Sequence, residues 1–137
     1  MLLSFELPGP PYGKARHRTT RTGINYTPKE TVSYEGLVKH TFRTKFPDWL
    51  PSAFTSFVMT IVAVFPIPKS VSKKKRLQMI SGAIRPISRP DWDNVGKVVS
   101  DSLNKIAYRD DSQVVDGRVV KVYGEKPEVS VTFEVLD

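Results

Sequence analysis

The chain predicts an α/β (α+β) fold in which helices pack on a mixed sheet, and three observations carry that reading. Leu3, Phe5 and Leu7 near one end, and Val129, Val131, Phe133 and Val135 near the other, alternate with polar residues as half-buried strands do. Residues 54–65 form a long β-branched and aromatic run, the pattern of a central strand covered on both sides. Between these strands, apolar residues recur at helical spacing, first at Tyr34, Val38, Phe42 and Phe46 and again at Val95, Val98, Val99, Leu103 and Ile106. At 137 residues the chain reads as one domain, 1–137, large enough for a true core, and 39% hydrophobic against 26% charged residues places it among ordinary globular proteins.

The elements follow in order. Pro8-Gly9-Pro10-Pro11 stops the first strand. Thr27-Pro28-Lys29-Glu30 has the form of a capping box with proline at the first helical position, and Pro47 closes the helix it starts. Pro66-Ile67-Pro68 ends the central strand, and residues 70–80 read as a short basic helix. A second amphipathic helix is expected over about 94–107, with Asp93 or Asn94 as its N-cap and Pro90 keeping the preceding residues out of it. Residues 114–123 and the closing strand, joined by Gly124-Glu125-Lys126-Pro127, read as a hairpin.

Composition removes several kinds of chemistry. The absence of cysteine excludes disulfides, thiolate catalysis and cysteine-based zinc sites. No run is long enough for a membrane span, and no signal pattern precedes Leu2, so a cytoplasmic protein without a membrane partner is expected. The formal charge of +7 suits a nucleic-acid partner. Its distribution is uneven. Residues 12–29 carry Lys14, Arg16, Arg18, Arg21 and Lys29 without an acid, and residues 69–89 carry seven basic residues, among them Lys73, Lys74, Lys75, Arg76 and Arg89, again without an acid. Each segment is either a solvated surface or a set of phosphate contacts.

Against this basic background, Arg89-Pro90-Asp91-Trp92-Asp93-Asn94 and Asp110-Asp111-Ser112-Gln113 stand out. In an extended chain, carboxylates two residues apart point to one side, so Asp91 and Asp93 would converge while Trp92 faces the core. The plain alternative is that Asp93 is a helix cap and Asp110-Asp111 a polar turn. Carboxylates in a phosphate-binding face are repulsive unless a divalent cation lies between, and Mg²⁺ takes a few carboxylates together with waters and phosphate oxygens. Asp91, Asp93 and Asp111 could supply that set. Lys97 follows Asp93 by one helical turn, where it would either stabilise transition-state charge or simply pair with Asp93. Asp101 and Asp116 read as surface or structural residues, and His17 and His40 are too isolated to form a ligand pair. The residues alone leave two readings, a metal-dependent phosphodiesterase and a non-catalytic basic nucleic-acid-binding protein.

The run Asp91-Trp92-Asp93-Asn94-Val95-Gly96-Lys97, then Asp101-Ser102-Leu103-Asn104, then Ala107-Tyr108-Arg109-Asp110-Asp111-Ser112-Gln113-Val114-Val115, resembles the signature of the RusA family of Holliday junction resolvases. Residues 8–18 and Tyr26-Thr27-Pro28 resemble the N-terminal part of its phage and Gram-positive members. The resemblance implies a RusA-like homodimeric endonuclease that makes paired symmetric nicks in four-way DNA junctions. It implies Mg²⁺ as cofactor (Mn²⁺ as a substitute), Asp91, Asp93 and Asp111 as the metal-binding catalytic aspartates and Lys97 as the essential lysine. Trp92 departs from the Leu or Ile more usual at its position, and residues 69–85 are more basic than the family pattern.

One geometric expectation concerns the helix after the acidic pair. Were it unbroken from Asp93 to Ile106, its ends would lie roughly 20 Å apart at about 1.5 Å per residue. The return to Asp111 would span at most about 17 Å even if fully extended. Asp111 would then complete a site on a second subunit across a two-fold axis; a shorter or kinked helix is the alternative.

Overall fold

The structure is a computed structural model that describes residues 1–15 and 18–136; Arg16 and His17, which fall in the basic arm, lie outside the described residues. In chain order the elements are β1 (Leu2–Pro8), a ribbon of β2 (Arg18–Thr19) and β3 (Asn25–Tyr26), α1 (Lys29–Lys45), β4 (Ser56–Pro66), α2 (Lys73–Ser81), α3 (Trp92–Ser102), a 3₁₀ turn (Asp111–Gln113), β5 (Val114–Gly124) and β6 (Glu128–Leu136). The main sheet has the order β1-β6-β4-β5. β6 pairs antiparallel with both β1 and β4, whereas β5 pairs parallel with β4, so the sheet is mixed as expected. Among the described residues no helix is long and apolar enough to cross a membrane.

Alternation at the chain ends works as predicted. Leu3, Phe5 and Leu7 face inward opposite Phe133, Val131 and Val129. β4 is central but is not covered equally on its two faces: Phe57, Met59, Ile61, Ala63 and Phe65 are buried, while Val58, Thr60, Val62 and Val64 are half-buried. Both α1 and α3 pack on the first face. Val38 and Phe42 come from α1, and Val95, Val98 and Val99 from α3. Phe5, Phe42, Phe57, Tyr108 and Phe133 form the centre of this core, with ring centroids 5.7–6.4 Å apart and mostly edge-to-face.

Four local expectations are corrected. α1 begins at Lys29, with Pro28 rather than Thr27 at the N-cap and no side-chain capping bond, so the anticipated capping box does not form. α3 begins two residues before the expected start, with Asp91 at the N-cap. It also ends at Ser102 instead of continuing to 107. Lys105 adopts a left-handed φ of 67°, and its N–H donates to the Tyr108 carbonyl at 2.7 Å. The Tyr108 hydroxyl donates to Ser100 O at 2.7 Å, and the Trp49 indole donates to Ala107 O at 2.8 Å. Leu103, Ile106, Ala107 and Tyr108 are all buried in the same core as α3. Their spacing therefore mimics a longer helix although the backbone has turned.

The fourth correction is the hairpin. β5 and β6 are not neighbours, because β4 lies between them. Residues 125–127 carry the chain past the end of β4, and at Gly124 a Cβ would stand 2.5 Å from Val64 Cγ1. Glycine is used here for close approach to β4 rather than for a turn conformation.

The 3₁₀ turn is fastened to the start of β4 through one side chain. Gln113 Oε1 accepts from the N–H groups of Arg109 and Asp110 at 2.9 and 3.1 Å. Its Nε2 donates to Ser52 O and Thr55 O at 2.7 and 2.8 Å. Asp110 accepts from Ser112 N, so Asp110 and Gln113 form a reciprocal capping box. Gln113→Ala should therefore lower stability by about 1–2 kcal/mol, given roughly 0.5–1.5 kcal/mol net per bond with some bonds replaced by water. A urea midpoint equal to that of the native chain would show that the turn does not depend on this amide.

Candidate active site

The long stretch between the parallel strands β4 and β5 carries α2, α3 and the 3₁₀ turn, and it holds every acidic residue singled out from the sequence as a metal ligand. A cavity of about 450 Å³ opens between α3 and β5. It is lined by Asp93, Lys97, Ser100 and Asp101 from α3, by Asp111, and by Arg118 on β5. Positions 93, 97, 100 and 101 fall on one side of a helix by their 4- and 3-residue steps. Lys97 is exposed and makes no ion pair among the described residues, so the pairing with Asp93 that its spacing allows does not form.

Asp91 is placed differently. Because the helix begins at Trp92 with Asp91 as its N-cap, the extended run in which Asp91 and Asp93 would converge is absent, and the two line different cavities. Asp91 lines a neighbouring cavity with Lys14, Arg89 and Asn94. Trp92 is 63% exposed at the mouth of the first cavity rather than buried in the core.

Asp111 joins its own chain's α3. Its carboxylate lines the same cavity as that of Asp101, and its pKa is raised by burial first and then by the charges of Asp110 and Asp101. Asp110, turned to solvent, is held below the usual carboxylate range by its bonds from Ser112. The paired acids of the turn thus divide the work: Asp110 caps, and Asp111 faces the cavity. With α3 ending at Ser102, the premise for completing Asp111's site from a second subunit is gone; the shorter helix is what the chain adopts.

Asp101, read from the sequence as a surface or structural residue, also lines this cavity. It lies one turn after Lys97, and that spacing was the available signal. Lys14 also differs from expectation. Its ammonium is 2.7 Å from Asp101 Oδ2 and 3.7 Å from Glu35 Oε2, and its side chain is only 16% exposed. Burial acts to lower the pKa of this ammonium, yet the bonds and charges of Asp101 and Glu35 outweigh burial and raise it.

The other basic residues are spread over the surface. Arg18 is exposed on the β2–β3 ribbon, and Lys73, Lys74 and Lys75 are exposed on α2. Arg76 pairs with Glu125 at 3.1 Å.

Among the described residues no three His, Asp or Glu side chains form a ready metal cage. Asp101 and Asp111 nevertheless line one cavity and offer hard oxygens there, and burial with the neighbouring charges disfavours the negative charge of Asp111. That fits an ion such as Mg²⁺, which takes one or two carboxylates and fills its shell with water and phosphate.

Fold and cavity together define a basic α+β protein with an acidic, lysine-bearing cleft. The chain belongs to the endodeoxyribonuclease RusA family, whose pattern residues 8–134 match. It is also similar to the uncharacterized protein YqaN of Bacillus subtilis (strain 168), at 49% identity over 75 residues. That match spans 53% of either chain, about half the length of the relative.

The repulsion between Asp101 and Asp111 yields a stability test. Asp111→Asn should raise the melting temperature by a few degrees in EDTA, since a neutral amide relieves like-charge repulsion. The same change should shrink the rise that Mg²⁺ produces in the native chain, because an ion that binds only the folded state stabilises it. A lower melting temperature in EDTA would mean that Asp111 is held by favourable contacts and not strained against Asp101.

Proposed function

We infer that this protein is a divalent-metal-dependent endonuclease that resolves four-way DNA junctions by paired, symmetric nicks. The observation carrying this reading is that Asp93, Lys97 and Asp111 of a RusA-family chain share one cavity on an otherwise basic protein. Asp93 and Asp111, with Asp101 lining the same cavity and Asp91 at the adjoining helix start, would hold Mg²⁺ (or Mn²⁺ in its place). Such an ion supplies polarisation of the scissile phosphate and a hydroxide nucleophile.

The chain's own groups do the rest. Lys97, free of any carboxylate partner among the described residues, is available to meet the negative charge that develops on the phosphate oxygens. The first turn of α3 adds partial positive charge beside Asp91 and Asp93. Exposed Arg18 and Lys73 to Lys75, together with Arg89 beside Asp91, are suited to hold flanking phosphates. Two strands related by a two-fold axis are best cut by two sites with the same relation, so the reading includes a homodimer.

The direct test compares a synthetic four-way junction with matched duplex, in Mg²⁺ and in EDTA. Paired nicks in the junction with Mg²⁺ alone are expected; tight junction binding with no cleavage in any divalent metal would instead make this a non-catalytic binder. Asp91→Asn should abolish cleavage while leaving binding intact or tighter, and a proportional loss of both would make Asp91 structural. Replacing Lys73 and Lys74 by Ala should flatten the log–log salt dependence of binding by roughly one unit for each phosphate no longer neutralised. An unchanged slope would return α2 to a solvated surface.

A further inference from the structure

The N-terminal arm reaches the cleft by a built contact. At Gly13 a Cβ would lie 2.7 Å from Pro90 Cβ and 3.2 Å from Asn94 Cβ, so only glycine allows the arm to approach the start of α3 so closely. The next residue, Lys14, donates its backbone N–H to Asn94 O at 3.0 Å. Its ammonium then lies between Glu35 of α1 and Asp101 of α3, at 3.7 and 2.7 Å. Asp101 in turn lines the same cavity as Asp111. A lysine that contacts DNA phosphate needs an exposed and uncommitted ammonium; this one is 16% exposed with two carboxylates around it.

We propose that Lys14 is a positioning residue of the cleavage site, holding Asp101 and through it Asp111 in place to receive a divalent ion, and that it is not a phosphate contact. The proposal rests on the metal-dependent nuclease reading above. Its physical basis is that two carboxylates lining one cavity repel, and Lys14 supplies the fixed positive charge that keeps Asp101 from swinging away when no metal is present. Groups that orient metal-binding carboxylates typically change metal affinity about 10–100-fold when removed. Arg89 and Arg18 lack such partners among the described residues, so the role belongs to Lys14 and not to the basic arm in general.

The experiment compares native protein, Lys14→Met, Lys14→Arg and Gly13→Ala by two readouts that do not depend on cleavage. The first is the Mg²⁺ concentration that half-saturates the thermal shift. The second is the salt dependence of junction binding in EDTA. For Lys14→Met, half-saturation should rise about tenfold or more, while the salt slope stays that of the native protein. Gly13→Ala keeps the charge but displaces the arm, and it should move half-saturation the same way. Lys14→Arg should recover at least part of the native metal response, which a simple packing role for the lysine stem would not predict. Half-saturation that is unchanged or lower in Lys14→Met overturns the proposal, and so does a salt slope flattened by about one unit. If native protein shows no Mg²⁺-induced shift and no metal-dependent cleavage, the nuclease reading itself fails and takes the proposal with it. A native response shared unaltered by Lys14→Met sinks the proposal alone.

Discussion

The parallel ladder between β4 and β5 is the constraint on which the rest of the structure depends. Antiparallel neighbours can be joined by a short turn, but a parallel pair obliges the chain to return to the starting end of the sheet. Here the return occupies residues 67–113 and contains α2, α3 and the 3₁₀ turn. The cleft lies where the return meets the sheet: α3 runs against β5, and the 3₁₀ turn delivers Asp111 just before β5 begins. Gln113 ties the same turn to the residues leading into β4, so one side chain links the start of the ladder to the turn that carries Asp111.

That coupling explains what the residues Asp110-Asp111-Ser112-Gln113 are for. Asp110 and Gln113 close the capping box, Gln113 docks it, and Asp111, without a side-chain ion pair among the described residues, faces a cavity that Asp101 also lines. A carboxylate released from local duty and set beside a like charge has no folding benefit, and an energetic cost of this kind commonly marks a functional position. The upstream turn is held by different means. Tyr108 is fully buried between Phe57 and Phe133 and donates its hydroxyl to Ser100 O, and burial followed by the nearby aspartates pushes its pKa up. Tyrosine there stays neutral and acts as a packing residue that also ends α3.

Much of this was legible in the sequence because the core obeys simple periodicities. The inward residues of β1, β4 and β6 follow a period of two, and Val38, Phe42, Val95, Val98 and Val99 follow the helical one. What failed did so where one period concealed two backbone states. Leu103 and Ile106 keep helical spacing across a left-handed turn, and the strand-like pairing of Asp91 with Asp93 is broken because the helix starts between them. The hairpin failed because adjacency in sequence was taken for adjacency in the sheet, when Gly124 in fact serves the passage over β4.

Charge is the part of the cleft that no local pattern could reveal. Lys14 and Asp101 are 87 residues apart, and each looks ordinary alone: one basic residue in a basic arm and one acid on a helix. Only the fold makes them partners, by laying the arm across α3 at Gly13 and by placing Glu35 of α1 on the lysine's other side. The consequence is that the protein separates two uses of positive charge. Lysines on α2 stand in solvent, where they can answer to a polyanion and to salt, whereas Lys14 is enclosed by carboxylates and screened little by salt. An exposed lysine acts at a distance and is screened by salt; the enclosed one acts at short range, on Asp101 and Glu35. A basic protein can therefore keep acids in its cleft beside an enclosed lysine whose charge offsets theirs.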